Sequence, residues 1–256
     1  LVEYIADVGT SWMGDYDLLD YMVGRLKSMG AAAFKPQVWP KSIYKDHMFE
    51  KEALRSTIDN NAIKKIEKIA KRHHLEAYYS VFDDTCLKRV LLNTDAKRVK
   101  FAHSMRTRGK LIAKAVQEGQ FEQVIISVDG WHDYLTNVLP GIHAHIIHEG
   151  YTREMRGKIK LLYCVPNYPT TIDEVHFKNR MEVLTGFSDH TTGLLAPLTA
   201  VARGADMIEK HVMCNQDEYL LYHGSWPEFP DRATAISLDK FRLMIAECEA
   251  VAEMIK

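Results

Sequence analysis

The chain has 256 residues, enough for one large core, and its 46% apolar and 26% charged residues are ordinary for a globular fold. Its 33 Lys and Arg nearly cancel 34 Asp and Glu, which excludes a general nucleic-acid or polyanion binder but leaves room for a local cationic pocket. Apolar runs are strand-sized, so no bilayer span is expected. Cys86, Cys164, Cys214 and Cys248 lack CxxC spacing and read as buried thiols of a cytoplasmic protein.

From the N-terminus, short apolar runs alternate with longer amphipathic ones. Strands are predicted at 2–8, 31–38, 75–82, 98–103, 123–128, 158–165, 183–188 and 205–212, each nearly continuous in apolar residues, as strands covered on both faces are. Helical spacing predicts helices over 15–28, 52–73 and 237–255. Strand–helix alternation implies parallel pairing through right-handed crossovers, and eight such units favour a single (β/α)8 barrel over an open doubly wound sheet. No Pro-, Gly- or Ser-rich linker divides the chain, so residues 1–256 are expected to form one domain.

A barrel places its chemistry at the C-terminal ends of the strands. The polar residues there are Asp7, Lys35, Gln37, Ser80, Asp83, His103, Ser127, Asp129, Asn167, Tyr168, Ser188 to His190, Glu209 and His211. His190 and His211 close neighbouring strands, whose axes lie about 5 Å apart, so inward-pointing imidazoles can share one ion. Imidazole suits Mn, Fe, Co or Zn better than Mg or Ca. Lys35 and Lys100 stand inside apolar runs, where a charge is costly unless it meets an anion or lines a polar cavity. With Ser80, Ser127 and Ser188 they form a candidate phosphate pocket. His143 and His145 form an HxH pair, but in a stretch that reads as helix, so they are expected on a helix surface.

These segments resemble the barrel of the N-acetylneuraminate (sialic acid) synthase family. IADVGTSWMGD is similar to its AEIG-N-H-GD opening, FKPQ to KFQ, and LLYCVPNYPTT to LHC-x-x-x-YPT. GFSDHTTG is similar to GYSDHT-G, and GADMIEKHVM to GA-x-x-IEKHF. The resemblance implies a metal-dependent condensation of phosphoenolpyruvate with an aldehyde or amino sugar, releasing phosphate. It assigns the metal to His190 and His211, with Mn2+ the ion expected first. Phosphoenolpyruvate falls to Lys35, Ser80, Lys100, Ser127 and Ser188, and the acceptor side to Gln37 and Tyr168. Asp7 takes the place of a family glutamate at the end of the first strand. Homodimers are common in the family.

The chain also departs from that pattern. His103 stands where the family has a phosphate-binding serine, and Met105 where it has a catalytic glutamate; methionine moves no proton. Arg106 and Arg108 in the same loop either meet an acidic group or decorate the following helix. Pro36 inside FKPQ predicts a local bulge. The family's C-terminal antifreeze-like domain has no counterpart in residues 1–256, which puts N-acetylmannosamine in doubt as acceptor. The alternative reading is an altered barrel that binds a phosphorylated sugar or a partner without turnover.

Overall fold

A computed structural model describes residues 1–146, 152–177 and 184–256. Eight parallel strands run in chain order: β1 Glu3–Asp7, β2 Ala33–Lys35 continuing as Gln37–Val38, and β3 Glu76–Ala77 continuing as Tyr79–Val81. They are followed by β4 Arg98–Phe101, β5 Gln123–Val128, β6 Ile159–Cys164, β7 Gly186–Asp189 and β8 Met207–Met213. Each strand pairs with the next, and β8 pairs back onto β1, with Asp7 opposite His211. The ring is therefore closed and the open sheet is excluded. A short strand, β9 Ile236–Ser237, adds to the far end of β8.

Pro36 interrupts β2, as its missing N–H requires. Its carbonyl still accepts from Ser80 N at 3.0 Å, which keeps β2 and β3 in register across the break. Helices begin where an aspartate can satisfy free N–H groups: Asp15 before Tyr16–Ser28, Asp59 before Asn60–His73 and Asp83 before Asp84–Asn93. The single helix expected over 52–73 is two, Glu50–Arg55 and Asn60–His73. The break occurs because Ser56 is buried, donating to Thr10 O, and Asp59 starts a new helix. Leu238–Met254 closes the chain as expected, and His143 and His145 lie on the helix Leu139–Ile146. The seventh strand starts at Gly186, later than expected, and Val183 lies outside the described residues.

Alternation along the strands sorts side chains into layers inside the ring. At the N-terminal end Arg98 meets Glu3 and Glu76 and lies over the Tyr78 ring. Above it Ile5, Ala33, Tyr78, Ile125, Leu162 and Met207 form an apolar floor. Two residues further along each strand the interior turns polar. All four cysteines are buried free thiols.

Candidate active site

The polar layer opens into a cavity of 310 Å³ at the C-terminal face. All ten residues singled out from the sequence line it: Asp7, Lys35, Gln37, Ser80, Lys100, Ser127, Tyr168, Ser188, His190 and His211. Strand parity explains the convergence, because Asp7, Lys35, Ser80, Lys100, Ser127 and Ser188 each sit two residues beyond a floor position or in register with one that does.

Glu209, which sequence reasoning placed at a strand end without a role, is the centre of the set. Its Oε1 lies 3.1 Å from Lys35 Nζ and accepts from Lys100 Nζ and Ser188 Oγ, both at 2.9 Å. Lys35 also reaches Asp7 Oδ2 at 2.8 Å and Ser80 Oγ at 3.2 Å, and Lys100 reaches Ser127 Oγ at 2.8 Å. Gln37 Nε2 donates to both Asp7 oxygens at 3.1 Å. Burial works against the Lys35 charge, but Asp7 and Glu209 more than offset it and raise its pKa. For Lys100, burial prevails over the pull of Glu209, with repulsion from Lys35 added, and the pKa falls. Glu209 itself is held below the usual carboxylate range, because Lys100 and Lys35 together outweigh its burial.

The two histidines stand beside this cluster with ring centroids 5.7 Å apart. His190 Nδ1 lies 2.9 Å from Val165 O, a carbonyl that only accepts, so Nδ1 carries the proton and Nε2 offers a lone pair. Burial, with His211 alongside, pushes His190 down to about 3, so its imidazole is neutral. His211 Nδ1 is buried without a hydrogen-bond partner among the described residues, 3.5 Å from Asp7 Oδ2. Neutral imidazoles with free lone pairs are what a borderline divalent ion takes. Among the described residues no group of three or more His, Cys, Asp or Glu could hold a metal, so an ion here would draw its remaining ligands from solvent or substrate. Tyr168, more than half exposed, stacks on His190 at 4.1 Å.

Other strand-end polar residues serve the scaffold. Asp83 accepts from Cys86 N at 2.7 Å, Asn167 donates to Glu174, and Asp189 faces outward to Lys210. Met105 is packed in the hydrophobic core and is absent from the cavity wall, whereas His103 lines it. Arg106 meets Asp133 at 2.9 Å, which answers what that arginine pairs with; Arg108 precedes the helix Gly109–Gln117 and is exposed. Tyr44, His47 and Asp231 also line the cavity from loops, and no strand pattern pointed to them. Asp231 accepts from Thr10 N and Oγ1, and Gly9, at φ +39°, has no room for a Cβ, which would stand 2.5 Å from Asp231 Oδ2.

The model of the NeuB family matches residues 28–256. The chain belongs to the NeuB family. Similar curated proteins include an uncharacterised protein of Methanocaldococcus jannaschii, 26% identical over 98% of this chain and 71% of that one. An N,N'-diacetyllegionaminic acid synthase of Legionella pneumophila is 25% identical over 81% of this chain and 62% of its own length. A pseudaminic acid synthase of Campylobacter jejuni is 33% identical, over 38% of this chain and 27% of its own. The chain thus spans 71% and 62% of the first two relatives. Among solved structures, an N-acetylneuraminic acid synthetase of Leptospira borgpetersenii superposes with a TM-score of 0.77 at 19% identity, covering 99% of this chain and 85% of that one. This likeness shows the barrel fold of the NeuB chain.

Proposed function

We propose that this NeuB-family chain joins phosphoenolpyruvate to the aldehyde of an open-chain amino sugar or another small aldehyde, yielding a nonulosonic-type sugar acid and inorganic phosphate. The observation that carries the reading is the buried Lys35–Glu209–Lys100 cluster, with serine hydroxyls around it, opening beside two neutral-imidazole candidates. The names of the legionaminic and pseudaminic acid synthases among its relatives point the same way.

In this reading the enol carbon bonds to the aldehyde carbon, whose oxygen takes up a proton. Water adds to the carbon bearing the phosphate, and the C–O bond to phosphate then breaks as the new carbonyl forms. Lys35 and Lys100 turn from Glu209 toward the phosphate dianion, with Ser80, Ser127 and Ser188 as added donors. Gln37 holds the Asp7 carboxylate in place beside the acceptor, which Tyr168 walls from the solvent side. His190 and His211 would hold a divalent ion, Mn2+ first, which when bound polarises the aldehyde oxygen. Small molecules are the partners this implies, in a cytoplasmic setting; among the described residues no helix is long and apolar enough to cross a membrane.

Phosphate release is expected to need phosphoenolpyruvate, an aldehyde and a divalent ion together. His190→Ala should lower it by more than about 100-fold, since even outer-shell partners of metal ligands are worth roughly 10–100-fold. Release that continues undiminished after chelation would overturn the reading. The buried Met105, in place of a carboxylate, favours a second reading in which ligand binds without turnover. Calorimetry showing phosphoenolpyruvate bound, with no product from any aldehyde tested, would select it.

A further inference from the structure

His103 follows β4 in a single 3₁₀ turn, His103–Met105, and one of its ring nitrogens is unexplained by the fold. Nε2 is buried and has no hydrogen-bond partner among the described residues, while the residue lines the cavity. A buried polar atom left in this state costs roughly 1–3 kcal/mol, so it points to a ligand. The other nitrogen is accounted for. Arg106 Nη1 stands 3.4 Å from His103 Nδ1 and also donates to the His103 carbonyl at 3.1 Å. A guanidinium has only donors, so Nδ1 must accept, and a neutral ring then carries its proton on Nε2.

Arg106 is itself fixed. Its Nε donates to both Asp133 oxygens, at 2.9 and 3.2 Å. Asp133 further accepts from Asp129 N at 3.0 Å and Asn137 Nδ2 at 2.8 Å, so its position does not depend on Arg106 alone. Burial and the Arg106 guanidinium both lower the His103 pKa, which keeps the ring neutral at pH 7. The chain from Asp133 through Arg106 to His103 therefore ends in one N–H aimed at the cavity.

The wall around that N–H is built of donors. Lys100, Ser104 and Ser127 line the same side, while the cavity carboxylates Asp7 and Asp231 belong to the β1 side, held by Gln37 and Thr10. A group rich in acceptors fits the donor wall. We propose that His103 donates its Nε2–H to the phosphoryl group of the bound substrate, with Arg106 as the positioning residue that sets the tautomer. This deepens the synthase reading and rests on it for the identity of the substrate, since the cavity binds phosphoenolpyruvate only if that reading holds.

Nitrogen-15 NMR of histidine-labelled protein, loaded with diamagnetic Mg2+, tests the idea with two probes, phosphoenolpyruvate and inorganic phosphate. His103 is expected as the Nε2–H tautomer, with that N–H moving when either probe saturates. Arg106→Ala should mix the tautomers. In calorimetry His103→Gln, which keeps a donor near the Nε2 position, should hold phosphoenolpyruvate affinity within about threefold. His103→Asn, whose amide reaches only the Nδ1 position, should lose about tenfold or more. A protonated or Nδ1–H ring in the wild-type protein overturns the proposal, as does an Nε2–H unmoved by both probes. If inorganic phosphate moves that N–H but phosphoenolpyruvate does not bind, the synthase reading fails while the donor role of His103 stands. Should His103→Asn fail to fold, the wild-type spectra decide.

Discussion

Ser188 and Glu209 face into the barrel from β7 and β8; one residue later on the same strands, Asp189 and Lys210 face out, and both pairs are cross-strand neighbours. The outer pair is closed. Lys210 Nζ lies 2.6 Å from Asp189 Oδ2, both side chains have no exposure at all, and Thr191 supplies further hydrogen bonds to each. The inner set is open, with two lysines sharing one glutamate at the wall of a cavity. Their electrostatics diverge accordingly. Burial raises the Asp189 carboxyl despite Lys210 beside it, whereas two lysines together overcome the burial of Glu209 and lower it. A single pair in apolar packing fixes the Asp189–Thr191 turn that flanks His190. An excess of cation facing a cavity is a set able to exchange partners with an anion.

The largest expected effect comes from breaking the closed pair. Lys210→Met leaves a buried aspartate without a counter-charge and should cost about 3–5 kcal/mol in urea unfolding, while Asp189→Leu combined with Lys210→Met should recover most of it. A loss below about 1 kcal/mol in the single variant would show that the pair does not hold the turn. Glu209→Gln should act on a smaller scale, about 1–3 kcal/mol, by leaving two buried lysines short of a partner. Here the loss should be reversible by ligand. Saturating inorganic phosphate should raise the melting temperature of Glu209→Gln more than that of the wild type, because phosphate binds only the folded state and meets two freed ammonium groups. Phosphate should not rescue Lys210→Met. Equal rescue of both variants would erase the distinction between the two sets.

Period-two patterning explains why so much of the site was legible. Lys35 and Lys100 stood out because a charge inside an apolar strand needs a reason, and the two histidines because they close adjacent strands. Parity then carries them all to one side of the wall, where the structure places them in one cavity. The role of Glu209 was hidden by its neighbours: Glu209-Lys210-His211 reads as a polar cluster, and only the in-register pairing with Ile5 and Asp7 shows which members face in. Tyr44, His47 and Asp231 reach the cavity from loops, which have no period to read. The split of the expected helix at 52–73 turned on Ser56 bonding to Thr10, a contact across 46 positions that local spacing does not encode.

A third ion set, at the opposite end of the barrel, separates burial from charge as the cause of these differences. Arg98 is nearly buried and holds Glu76 through two hydrogen bonds, at 2.6 and 2.9 Å, but its partners Glu3 and Glu76 keep 41% and 37% of their side chains exposed. Water and salt screen such partners, and Glu3→Gln leaves Arg98 its two bonds to Glu76. The expected cost is therefore about 0–1 kcal/mol, shrinking further in high salt. The apolar floor of Ile5, Ala33, Tyr78, Ile125, Leu162 and Met207 lies between this set and the cavity, so turnover and phosphate binding should not change. If Glu3→Gln were as damaging as Lys210→Met, solvent access would not be what distinguishes the ion sets of this barrel, and the tolerance of the cavity lysines for a change of partner would need another source.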